Sequence, residues 1–82
     1  MSVAIMEMQV EPTELFENGL KFSTGAEVEM DLIEAHKWFN LAALKGMLEA
    51  RDRRRELAEI MTENQISAAQ KAARDWLNHV KN

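Results

Sequence analysis

Residues 38–46 read WFNLAALKG, and how this stretch is read decides the fold. Two aromatics stand beside paired alanines, and a glycine closes the run. Alanines let a neighbouring backbone come close, while aromatics fill the space alongside. Working back from it, LIEAHKWFNLAALK places Ala35, Trp38, Phe39, Ala42 and Ala43 at helical spacing. Asp31, with Glu34 three positions on, gives a capping-box start, and Gly46 after Lys45 gives a C-terminal stop.

The same reading extends along the chain. Pro12 suits the first turn of a helix over TELFENGLKF, which should end in the breaker cluster Ser23 to Gly25. Within it Gly19 costs about 1 kcal/mol relative to alanine, a cost offset by close approach of a neighbour. AEVEMD is a connection. A third helix runs from roughly Leu48 to Met61, with Ala50, Leu57 and Met61 on one face and Arg53 or Arg54 bridging the gap. Thr62 and Gln65 form a second capping box, opening a helix whose stripe is Ile66, Ala69, Ala73, Trp76, Leu77 and Val80. The expected fold is all-α, with about four helices paired as antiparallel hairpins by short links. Residues 1–11 are expected to be an N-terminal arm, whether a short strand, a docked segment or a disordered end, and residues 12–82 a single domain.

Leu15 to Ala50 resembles a Sel1-like repeat, a relative of the tetratricopeptide repeat. The carrying residues are Gly19 and Phe22 in the first helix and Gly25, Val28 and Asp31 in the link. Ala35, Trp38, Phe39, Ala42, Ala43 and Gly46 follow in the second helix, and Ala50 opens the next unit. The chain departs from the pattern at Asn18, where leucine is usual, and at Glu27, where the link has a second glycine. In EARDRRRELAEIM the glycine and aromatic of a second unit are missing, with Arg54 and Leu57 in their places. The resemblance, over about residues 15–76, implies one full repeat, a degenerate capping repeat, and scaffold or adaptor work through protein binding. Such units bury a face that one copy cannot cover alone, so the fourth helix or another subunit should close the open side.

The totals narrow the function. With 82 residues, one small domain is expected, and without cysteine no disulfide or thiolate chemistry exists. Nothing approaches the run of about 18 apolar residues of a membrane span. The opening MSVAIMEMQVEP has no signal-peptide pattern, so a cytoplasmic place is expected. Net charge is −4, split as eight acidic and three basic residues over 1–46 against six and seven over 47–82. That distribution speaks against a nucleic-acid footprint.

No catalytic, metal or cofactor-binding residue is assigned. His36 has no nucleophile or acid–base partner at helical distance and reads as an exposed or half-buried structural residue. His79 reads as a helix-end residue, and no HExxH-type set occurs. The carboxylate pairs read as solvated surface, and RDRRRE (51–56) as a salt-bridged face with Arg54 partly packed. Trp38 is placed in the core. Leu15, Phe16, Leu20 and Leu41 do not all fit one inward face. Phe16, Leu20, Leu41 and Trp76 are therefore candidates for a partner-binding apolar patch, with Arg51 and Arg55 at its rim. The leading expectation is a non-enzymatic protein–protein interaction module, with a protein partner or a second copy as homodimer. The alternative is a helix-turn-helix-like nucleic-acid binder using Arg51–Arg55.

Overall fold

The computed structural model describes the backbone of residues 10–81 and the side chains of 10–79. Four helices follow in order: α1, Pro12–Thr24; α2, Leu32–Leu44; α3, Leu48–Ala58; and α4, Glu63–Lys81. No strand occurs among the described residues. Most of the expected N-terminal arm, residues 1–9, lies outside them. Val10, its described apolar residue, packs against the core.

Local chemistry sets the helix ends. Pro12 opens α1, and Gly25 closes it at φ 77°, with its N–H donating to the Lys21 carbonyl at 2.8 Å. In the link, the Asp31 N–H donates to the Phe22 carbonyl at 2.9 Å, tying the start of α2 to the end of α1. Asp31 Oδ1 accepts from the Glu34 N–H at 3.1 Å. Only this half of the capping box forms: the Asp31 N–H is given to Phe22, and Glu34 pairs with Lys37, 2.7 Å away. At the far end Gly46 takes φ 97°, its N–H reaching the Ala43 carbonyl while the Met47 N–H reaches that of Ala42. This is a Schellman closure, which needs a residue at ease with positive φ. The α4 box is complete: Thr62 N–H donates to Gln65 Oε1 at 2.9 Å, and Gln65 N–H to Thr62 Oγ1 at 3.1 Å. The expected third helix ends sooner than Met61, with Glu59 as its C-cap and Ile60 in the turn.

α2 is the hub. It packs against α1, α3 and α4, whereas α3 and α4 touch each other little. Alanines mark the close approaches: Ala35 and Ala42 on α2, Ala50 on α3, and Ala69 and Ala73 on α4 are all fully buried. Phe39 fills the space facing Gly19 and meets the Phe16 ring at 5.4 Å between centroids. The hairpin of α1 and α2 therefore closes as its small residues and aromatics suggest. The pair α3 and α4 does not close in the same way. Arg54 on α3 instead extends its side chain to α2, where it donates to Asn40 Oδ1.

Candidate functional site

Packing on three sides changes the expected exposure of α2. His36 is not half-exposed but buried, at 3% accessibility, and Leu41 is buried at 1%. Phe16 is buried too, against Phe39. Phe16 and Leu41 thus belong to the core and cannot join an exposed partner patch. Leu20 is half-buried against the same core. Trp38 and Trp76 are also half-buried and meet edge to face, with centroids 6.0 Å apart. This contact ties α2 to α4, and Lys37 Nζ caps the Trp38 ring 4.3 Å from its centroid. Trp38 is thus a seam residue rather than fully enclosed core.

The arginine cluster also departs from expectation. Arg51, Arg53 and Arg55 are exposed, and no arginine belongs to an ion pair among the described residues. The carboxylate partners expected along α3 are not engaged: at an exposed helix surface, such pairs repay little of the side-chain entropy they fix. Arg54 is half-buried and uses the neutral Asn40 amide instead.

The apolar side chains left most open are ones that periodicity did not single out. Leu44 and Leu48, on either side of the α2–α3 turn, are 63% and 66% exposed, and Met30 and Ile60 in the other links are similarly open. The available signal was position: each lies in or beside a link, where no helix face follows to cover it.

One concavity joins three helices. A cleft of about 370 Å³ is lined by His36 and Asn40 from α2, Arg54, Arg55 and Ala58 from α3, and Ile66 and Gln70 from α4. It lies where α3 and α4 fail to meet, with the hub helix beneath. Among the described residues its charged groups are two arginines, and no carboxylate lines it. Burial, and then the nearby Arg54 charge, hold the His36 pKa below its ordinary 6.5, so the imidazole is neutral at pH 7. His36 Nδ1 and Trp38 Nε1 are enclosed without a hydrogen-bond partner among the described residues. Such buried polar atoms are uncommon and costly.

No group of three or more metal-ligating side chains occurs among the described residues, and no described helix is long and apolar enough to cross a membrane. Comparison with protein-family models, with characterised proteins and with solved structures found no match to this chain.

Proposed function

We propose that this chain is a small helical-repeat interaction module, akin to Sel1-like and tetratricopeptide repeats, that binds a protein partner or a second copy of itself and carries out no chemistry of its own. The observation that carries the reading is the open pair Leu44 and Leu48, each more than three-fifths exposed at one turn of an 82-residue chain. Apolar side chains presented at a link are what a neighbouring unit would cover, and docking there removes them from water at about 25 cal/mol per Å². The Gly19–Phe39 packing of the first helix pair supports the kinship.

Sedimentation of the wild type and of a Leu44→Glu, Leu48→Glu double variant tests this. The expected result is a wild-type dimer that becomes monomeric in the variant with unchanged helical circular dichroism. A wild type that is monomeric at every concentration and captures no protein through this edge would sink the reading.

A second reading, contact with nucleic acid through Arg51 and Arg55, is favoured by one observation: both are exposed and neither is in an ion pair among the described residues. Binding to DNA or RNA that falls steeply with added salt would support it.

A further inference from the structure

We propose that the cleft between α3 and α4 is a binding site for a small oxyanion, a carboxylate or phosphate group, held by Arg54 and Arg55 with His36 and Gln70 beside them. Four observations converge. The described lining holds two guanidinium groups and no acid, in a chain whose net charge is −4. The positive sign is therefore local and set against the field of the whole. Arg54 is already oriented: one of its five N–H groups is fixed on Asn40 Oδ1, which leaves the rest of the planar fork available. That fork matches the two oxygens of a carboxylate or phosphate. The volume of about 370 Å³ exceeds what a single water fills, about 30 Å³, and suits an anionic side chain or a small ligand. Finally, His36 lines this cleft while almost wholly buried.

Burial, and then the Arg54 charge, disfavour the protonated form of His36. The charged groups lining the cleft around His36 are Arg54 and Arg55, both on α3; α4 contributes Ile66 and Gln70, and α2 contributes Asn40, all neutral. Among the described residues, none from α1 lines it. An anion entering this set offsets the arginine charge and favours the protonated ring. Where the ligand's own charge is constant, binding should therefore tighten as pH falls, and the His36 titration midpoint should rise when the site is filled.

The test is an NMR titration of the labelled full chain, following the ring protons of His36, with sodium phosphate in one arm and sodium acetate in the other. Sodium chloride holds ionic strength constant. The expected result is a saturable His36 shift in at least one arm, with a Kd of about 1 mM, and a midpoint raised by about one pH unit. Saturation with phosphate alone, acetate alone or both identifies the class. His79, exposed on α4 and absent from the lining, should not respond. Arg55→Gln, at an exposed position, should weaken binding about tenfold without loss of fold, and Gln70→Glu should abolish it. Shifts that grow linearly in both arms, a midpoint that does not move, or undiminished binding in Arg55→Gln would each overturn the proposal.

Discussion

Phe39 lies so close to Gly19 that a Cβ on residue 19 would stand 2.5 Å from both Cδ1 and Cε1 of the ring. Real side chains do not tolerate that approach, and the ring is fully buried against the Phe16 face, so it has nowhere to go. Gly19→Ala would gain about 1 kcal/mol of helix propensity and lose about 1–3 kcal/mol to overpacking. A net destabilisation is expected, measured by urea unfolding. Phe39→Leu introduced into the same chain should recover part of it, because the smaller side chain yields the space. Gly19→Ala more stable than wild type would show that the two helices do not rest on this contact.

Glu27 holds φ 69°, a left-handed conformation in a residue with a Cβ. Glu27→Gly should therefore stabilise the fold by about 0.5–1 kcal/mol. The Lys21–Glu27 ion pair it removes is 3.8 Å long with both side chains exposed, and pairs of that kind contribute little. Thermal unfolding should shift upward by about 2–8 °C.

Thr62→Ala removes an acceptor for the Gln65 N–H at the start of α4. The expected cost is about 1 kcal/mol. Gln65→Ala should cost less, since the Thr62 N–H it strands is exposed and can turn to water. Chemical denaturation of the two variants checks the order.

His36 links stability to acid. Its folded pKa is lowered, first by burial and then by Arg54, so between that value and 6.5 the unfolded chain binds the proton and the folded chain does not. The sign follows: this contribution is whole above about pH 6.5, declines as pH falls, and levels off below the folded pKa. The slope is at most about 1.4 kcal/mol per pH unit. Unfolding free energies at stepped pH should show it in the wild type and lose it in His36→Gln. A variant that keeps the same slope would remove His36 as its source.

Much of the architecture could be read from local chemistry. Asp31, Thr62, Gln65, Gly25 and Gly46 announce the helix ends because caps depend on residues a few positions apart, and the alanines and Gly19 announce close contacts. What local pattern could not give was the number of neighbours around α2. Periodicity assumes one buried face, and on that assumption His36 and Leu41 point away from the core. With helices on three sides, both are enclosed. The cleft is not legible in local pattern for the same reason: His36, Arg54 and Gln70 come from three helices, and only the separation of α3 from α4 brings them around one space.

A molecule whose outer helices grip a common rod and barely touch one another should not breathe uniformly. α1, α3 and α4 can each lift away by giving up mainly their own contacts with the rod, but amides in the middle of α2 exchange only when all three have gone. Deuterium uptake should therefore be slowest around residues 35–43 and should report the global opening there, with faster, independent fraying of the three helices outside.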